Sequence, residues 1–191
     1  MNMGIVVEGD SDAKAYSQLI RKIRDDVDVP HVISCGGVGT LKGKFVGWLK
    51  YFEWRALPSI DKALVIRDSD CSNPVPLENE LREILKQSDF EPRFPVHFHA
   101  TKCELETWLL ADENAINQAS RWRRKNKGIA AITVDLESTK GAKELFRKQL
   151  SKAGLLATAQ VYREVANFAD IARIASRCPH FRQFMDKVRE C

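Results

Sequence analysis

The chain has 191 residues, of which 44% are hydrophobic and 29% charged, and its formal net charge is +4. This composition is typical of a soluble globular protein and excludes a disordered chain. No apolar run approaches the roughly 20 residues that a membrane-spanning helix needs, and no secretory signal precedes the first strand, so we expect a cytoplasmic protein with no membrane partner. The mildly basic charge is compatible with a nucleic-acid partner but does not require one.

Apolar strands alternate with amphipathic helices in the first part of the chain. Four strands are predicted, at residues 4–7, 31–34, 63–66 and 95–100. Such alternation favours right-handed crossovers, so we predict an α/β fold with a central, mainly parallel four-stranded sheet flanked by helices. Past Glu104 the pattern becomes helical. We therefore divide the chain into a core at residues 1–112 and a C-terminal helical extension at residues 113–191 that packs on the core.

Two of the predicted strands run directly into carboxylates. Glu8 follows the first strand, with Asp12 four residues later, and Asp68 and Asp70 follow the third strand. Open α/β sheets bind ligands at the carboxyl ends of their strands, and clustered carboxylate oxygens suit Mg²⁺ or Mn²⁺ better than zinc. The alternative is that these are ordinary turn and helix-cap residues. We favour the metal site because both strand ends carry the same chemistry.

A third pair of acids, Glu104 and Glu106, follows the fourth predicted strand. Residues two apart on a helix point in nearly opposite directions, whereas at an extended strand end both could reach one centre. If the pair joins Glu8, Asp68 and Asp70, the cluster carries more negative charge than a site without a metal could hold. The alternative is a solvated helix N-terminus, where the helix dipole favours glutamate.

A basic stretch lies in the predicted extension. Lysine and arginine contact phosphates, and an exposed aromatic side chain can stack on an unpaired base. The alternative is a solvated charged face, although Lys140 and Lys143 extend the basic character. The candidate nucleic-acid-binding residues are Arg121, Trp122, Arg123, Arg124, Lys125 and Lys127.

Other familiar sites are not supported. The glycine-rich residues 36–39 match neither a Walker A loop nor a Rossmann fingerprint, so we interpret them as a strand-to-helix turn whose free amides could help to seat a phosphate. The five cysteines include no CxxC pair, so we predict neither a zinc finger nor a disulfide framework. His97 and His99 lack further zinc ligands, and we interpret them as a partly exposed polar face near the sheet edge.

The ordered set of motifs resembles the Toprim domain of topoisomerases, bacterial primases, a ribosomal-RNA maturase and the OLD-type nucleases. The resemblance rests on Glu8-Gly9 with Asp12 four residues after the glutamate, and on Asp68-x-Asp70 after a later strand. Residues 103–112 and 177–184 look more particularly like small stand-alone Toprim proteins of bacterial defence and mobile loci. Arg67 departs from the pattern, since a small or apolar residue is more usual before Asp-x-Asp.

The resemblance implies a Toprim-like sheet that holds Mg²⁺ or Mn²⁺, as two ions, at its carboxyl edge. The implied metal ligands are Glu8, Asp12, Asp68, Asp70, Glu104 and Glu106. The implied catalytic residues are Glu8, Asp68, Asp70 and Lys143, with Lys140 as the alternative to Lys143.

The activity that the resemblance implies is a nuclease that hydrolyses phosphodiester bonds in DNA or RNA, in phage or mobile-element defence. One alternative is a Toprim-like regulatory effector that acts with a separate partner ATPase encoded nearby, because the chain has no ATP-binding loop of its own. A third is another phosphoryl-transfer enzyme that acts on small phosphates. The sequence alone decides neither DNA against RNA nor the oligomeric state.

Overall fold

The computed structural model describes residues 1–190. Strands and helices alternate first: β1 (Asn2–Val7), α1 (Asp10–Ile23), β2 (Asp28–Ser34), α2 (Val38–Trp54), β3 (Lys62–Asp68), α3 (Pro74–Lys86) and β4 (Val96–Thr101). Helices then follow: α4 (Leu105–Leu110), α5 (Glu113–Trp122), a 3₁₀ turn (Leu136–Ser138), α6 (Ala142–Lys152), α7 (Ala159–Phe168), α8 (Ile171–Arg177) and α9 (Pro179–Arg189). Across residues 1–190, no helix has the length and apolar character needed to cross a membrane.

The four strands form one parallel sheet in the order β2-β1-β3-β4. The predicted α/β class with a parallel four-stranded sheet is therefore confirmed. From β1 the chain moves outward to β2 and then crosses back past β1 to β3. The strand order thus reverses between β1 and β3, and in open α/β sheets the crevice at such a switch point is where ligands bind.

Each face of the sheet packs on its own hydrophobic core. Ile5 and Leu64 point into the core formed by α1 and the helices from α4 onward, whereas Val6 and Val65 point into the core formed with α2 and α3. Both faces are covered, so the strands carry continuous apolar runs. Fully buried Trp108 of α4 contacts rings of α1 and α9. The later helices therefore pack on the sheet, while the division of the chain at residue 112 stays a prediction.

Strand boundaries differ from the predicted ones by a few residues. β2 begins at Asp28 and includes Pro30, after which the strand was expected to begin. Proline is tolerated there because β2 is an edge strand that pairs with β1. β3 extends to Asp68, so this carboxylate belongs to the last residue of the strand.

The prediction of no disulfide was wrong, because Cys71 and Cys103 are joined. They are 32 residues apart in sequence, and they meet because each follows one of two neighbouring strands, β3 and β4. The remaining described cysteines, Cys35 and Cys178, are free and buried.

The interpretation of the β4 histidines was also wrong for His99. Its side chain is fully buried, in contact with the rings of Trp108, His180 and Phe184. α4 and α9 cover this face of the strand even though β4 lies at the sheet edge.

Candidate functional site

Two carboxylates lie side by side at the switch point of the sheet. Glu8 follows β1 directly, and Asp68 ends β3. The two strands are paired in parallel, for example Val6 with Val65, so their carboxyl ends come together. An oxygen of Glu8 accepts a hydrogen bond of 3.1 Å from the backbone N–H of Asp68. The sheet itself therefore positions this pair.

Asp12 joins them from the first turn of α1. This helix starts after Gly9, whose backbone N–H donates to the Asp12 carboxylate at 2.9 Å. An acid at this position is typical of a helix start, because it satisfies an amide that has no partner within the helix. The same contact turns the Asp12 side chain back toward the end of β1.

The third acidic pair spans the start of α4. Glu104 is the extended N-cap residue, with φ −140° and ψ 161°, and Glu106 lies in the first helical turn. The change of backbone conformation between them brings both carboxylates to the site, which a continuous helix would not do. Glu104 accepts a hydrogen bond from the backbone N–H of Lys143 at 2.8 Å, and Glu106 accepts one from the hydroxyl of Tyr162 at 2.7 Å.

Five carboxylates thus share one arrangement, in which a protein donor holds one oxygen and the second oxygen accepts no hydrogen bond from residues 1–190. For Asp68 the donor is the backbone N–H of Leu105, at 3.2 Å. Glu106 is the extreme case, because it is 1% exposed and its Oε2 is buried without a partner. The five residues are Glu8, Asp12, Asp68, Glu104 and Glu106.

Burial and mutual repulsion raise the pKa values of Glu8, Asp12, Asp68 and Glu104. Burial, followed by the charge of Glu106, raises the pKa of Asp12 to about 7. The pKa of Asp68 lies well above its ordinary value because of burial and then the charge of Asp12. Burial also raises the pKa values of Glu8 and Glu104. The site therefore opposes full ionisation of its own carboxylates.

Lys143 supplies positive charge to the site. It lies on α6, half-buried, and its ammonium lowers the pKa values of Glu8, Asp12 and Glu104 against the larger effect of burial. Burial alone would lower the pKa of Lys143, but the surrounding carboxylates, Glu106 first, raise it above its ordinary value. Lys140, the alternative from the sequence, lies exposed in the loop before α6.

The donor chemistry of the site fits a hard divalent cation. Its ligand atoms are carboxylate oxygens, and the orphaned Glu106 oxygen lacks a partner that a cation would provide. Within residues 1–190, however, no three His, Cys, Asp or Glu side chains are arranged to hold a metal ion as they stand. Binding an ion would therefore require these side chains to rotate, although one oxygen of each carboxylate is already fixed by a hydrogen bond.

Several predicted participants lie at the margin of this cluster. Asp70 is exposed in the turn after β3, with φ 48°, and its charge raises the pKa of Glu8 only after larger effects. Arg67 is buried and paired with Glu80 of α3 at 3.1 Å. The backbone N–H groups of Gly36 and Gly37 donate to the carbonyl oxygen of Glu8 at 2.7 and 2.9 Å. These two amides are therefore not free to seat a phosphate, and for them that expectation was wrong.

The chain matches a family model, Domain of unknown function (DUF4276), over residues 7–189. It belongs to this family. The match to DUF4276 includes all five clustered carboxylates. Among solved structures, the chain is similar to the C-terminal region of the Burkholderia pseudomallei OLD protein, with 14% sequence identity and a TM-score of 0.47 over 98% of this chain and 96% of that chain. A comparison with curated proteins gave no match.

The predicted basic stretch of this DUF4276 chain spans the end of α5 and the loop after it. Arg121 and Trp122 end the helix, and the remaining basic residues follow in the loop. All of them are exposed, but Arg123 is paired with Glu164 through two hydrogen bonds of 2.5 and 2.8 Å. One of the five cations is therefore committed to an ion pair within the DUF4276 domain.

Two tyrosines of the DUF4276 site were not predicted. Tyr162 of α7 holds Glu106, and Tyr16 of α1 shares a buried hydrogen bond of 2.6 Å with Thr101 at the end of β4. In the sequence, Tyr16 is one member of an apolar helical stripe. Tyr162 stands 56 residues from its partner, and its surroundings contain no motif that singles it out.

Proposed function

We propose that this DUF4276 chain is a divalent-metal-dependent nuclease that hydrolyses phosphodiester bonds in DNA or RNA, in defence against phages or mobile elements. The observation that carries the proposal is the buried, unpartnered oxygen of Glu106 within a group of five carboxylates at the switch point of the sheet. A group of this kind is destabilised by its own charge unless a cation joins it. The resemblance of its motifs to the Toprim domain supports the same activity.

In this proposal the five clustered carboxylates, with Asp70 at the rim, hold Mg²⁺ or Mn²⁺ as two ions. Bound ions of this kind activate a water molecule and stabilise charge on the leaving oxygen. The backbone N–H groups that hold Glu8, Asp12 and Asp68 keep each carboxylate oriented while its second oxygen is available. Lys143 provides a fixed positive charge beside the carboxylates, suited to stabilising negative charge on a phosphate.

A cleavage assay tests the proposal. Plasmid DNA, single-stranded DNA and structured RNA are incubated with Mg²⁺ or Mn²⁺ and with the native chain, Glu8→Gln or Asp68→Asn. Both amides keep an oxygen that can accept the observed backbone hydrogen bond, so the fold should be retained. We expect each substitution to lower the cleavage rate roughly 100-fold or more, since each removes a charged oxygen ligand.

Asp10→Asn is the matched control. Asp10 lies in the same first turn of α1 as Asp12 but is exposed, so its loss should leave cleavage unchanged. Cleavage by Glu8→Gln and Asp68→Asn at the native rate would overturn the carboxylate mechanism. Failure of the native chain to cut any of the three substrates with either metal would overturn the proposal in favour of an effector that needs its partner ATPase.

A further inference from the structure

A polar cleft lies beside the C-terminal end of α5, away from the residues of the acidic cluster. Its volume is about 390 Å³. It is lined by Asn114, Asn117, Arg121, Asn126, Lys127 and Gly128. None of these residues carries a carboxylate. Arg121 and Lys127 form no ion pair with any residue from 1 to 190, so the cleft has two cations and several amide donors for an anion.

The walls of the cleft are held in place by hydrogen bonds. Both side-chain polar atoms of Asn117 bind the backbone of Ile129, at 2.8 and 3.2 Å, which joins the returning loop to α5. Ser120 is fully buried and donates to the carbonyl oxygen of Ala153. Its own hydroxyl and carbonyl oxygens accept the backbone N–H groups of Lys127 and Lys125.

The basic loop also packs against the end of α6. The stems of Lys125 and Lys127 lie beside Gly154, where an added Cβ would come within 3.3 Å of each. Arg124 and Asn126 have φ of 56° and 52°, in the left-handed region that makes this turn tight. The exposed cations therefore project from a shaped and anchored loop rather than from a uniform charged face.

An exposed aromatic ring follows the cleft residue Arg121 at the end of α5. Trp122 follows Arg121 directly and is 71% exposed, with one ring contact, to Phe168. The next residue, Arg123, is held by Glu164, which lines a second cleft together with Trp122 and Phe168. An exposed indole one residue along the chain from a cation of this cleft suits a nucleotide whose base is unpaired, because a base within a duplex already stacks on its neighbours.

We propose that this cleft binds a backbone phosphate of single-stranded nucleic acid, with Trp122 stacking on an adjacent base. The inference rests on the proposed nuclease function in that it names the form of the substrate. Binding of a phosphate in this cleft needs no divalent metal, so it can be measured separately from cleavage.

Fluorescence anisotropy of labelled 12-nucleotide strands of DNA and RNA, and of a matched duplex, in EDTA tests the proposal. The native chain should bind the single strands more tightly than the duplex. Arg121→Ala/Lys127→Ala should weaken binding at least roughly tenfold and reduce the slope of log affinity against log salt by roughly 1 to 2. Trp122→Ala should weaken binding roughly 5- to 100-fold with little change in that slope, and Trp122→Phe should restore most of the affinity.

Arg55→Ala/Lys86→Ala is the matched control, since it removes one exposed arginine and one exposed lysine from the α2 and α3 side of the sheet. The control should bind as the native chain does. Native affinity in Arg121→Ala/Lys127→Ala, or tighter binding of the duplex, would overturn the inference. If the strands bind as expected and nothing is cleaved, only the proposed nuclease function fails; if cleavage occurs with native binding in the cleft variants, only this inference fails.

Discussion

The carboxylates of the site are oriented individually, because each has one oxygen bound by a donor from a different part of the fold. The donors are backbone N–H groups for four of them and the Tyr162 hydroxyl for Glu106. A backbone donor is fixed by the secondary structure around it, whereas a tyrosine hydroxyl can be removed by losing one atom. Glu106 is therefore the residue at which orientation can be tested without disturbing the backbone.

Tyr162→Phe removes the hydroxyl that holds Glu106 and leaves the ring packed against Phe146. Residues that orient a metal ligand typically contribute 10- to 100-fold to affinity or activity, so we expect roughly tenfold weaker Mn²⁺ binding in titration calorimetry. The cleavage rate should fall in the same proportion. Tyr51→Phe, on α2 across the sheet, is the control and should bind Mn²⁺ as the native chain does. Unchanged Mn²⁺ affinity in Tyr162→Phe would show that Glu106 is oriented without this hydrogen bond.

Residues near the strand ends could be predicted from the sequence, whereas their partners could not. Glu8 and Asp68 follow apolar strands, and the fold brings such ends together, so local pattern was sufficient. Tyr162 reaches Glu106 only because α7 packs beside α1, the pair of helices with the most extensive contact in the fold. No local pattern encodes that packing, and the same is true of the backbone N–H of Lys143 that holds Glu104.

At the scale of elements, the segments after β3 and β4 behave as one unit. Besides the bond between Cys71 and Cys103, the hydroxyl of Ser69 accepts the backbone N–H of Cys103 at 3.0 Å, and the N–H of Asp70 donates to the Cys103 carbonyl at 3.0 Å. These contacts tie the acids after β3 to those that begin α4. The geometry of the site therefore depends on the contacts between the segments that follow β3 and β4, as well as on the sheet.

Breaking the Cys71–Cys103 bond should destabilise the fold. For a loop of this length the disulfide contributes about 3.7 kcal/mol to the free energy of unfolding, so a dithiol reductant should lower the melting temperature by roughly 7–15 °C. Cys71→Ser/Cys103→Ser should melt at the lower temperature whether or not the reductant is present. Mass spectrometry of peptides from the unreduced native chain should recover the two cysteines linked. An unchanged melting temperature on reduction would contradict the contribution of this bond.

Strands and helices were predicted correctly as a sequence of elements because each carries its own periodicity. The disulfide was not predicted because the prediction relied on close cysteine spacing, whereas the pairing follows from β3 and β4 being neighbours in the sheet. His99 was misassigned for a related reason. An alternating strand pattern indicates two faces, but only the packing of α9 decides that the polar face of β4 is buried.

At the scale of the whole molecule, the switch point concentrates negative charge in a chain whose net charge is +4. The charge is tolerated because part of it is protonated or opposed by Lys143 in the absence of a cation. Folding and ionisation are therefore coupled at this site. Asp12 is the group through which that coupling is most directly measured, since its pKa rises from 3.8 to about 7.

The direction in which pH changes the stability follows from the direction of this pKa shift. The folded state binds the Asp12 proton more tightly than the unfolded state, so the stabilisation is complete below pH 3.8 and is lost as the pH rises through 7. Asp12→Asn has no proton to lose and keeps an acceptor for the Gly9 N–H. In EDTA it should melt higher than the native chain at pH 8, by roughly 4 °C or more, and the difference should shrink toward pH 5. Scanning fluorimetry between pH 5 and pH 8 measures this difference in melting temperature, with Asp10→Asn as the control.

Addition of Mg²⁺ or Mn²⁺ should reverse the order of the two melting temperatures at pH 8, so that the native chain melts higher than Asp12→Asn. A cation that binds only the folded state raises the melting temperature of the native chain, and it does so most where the carboxylates are ionised. Asp12→Asn has lost one charged ligand and should gain less. If the native chain and Asp12→Asn instead show parallel melting curves across pH, with and without metal, then Asp12 is not coupled to the cluster.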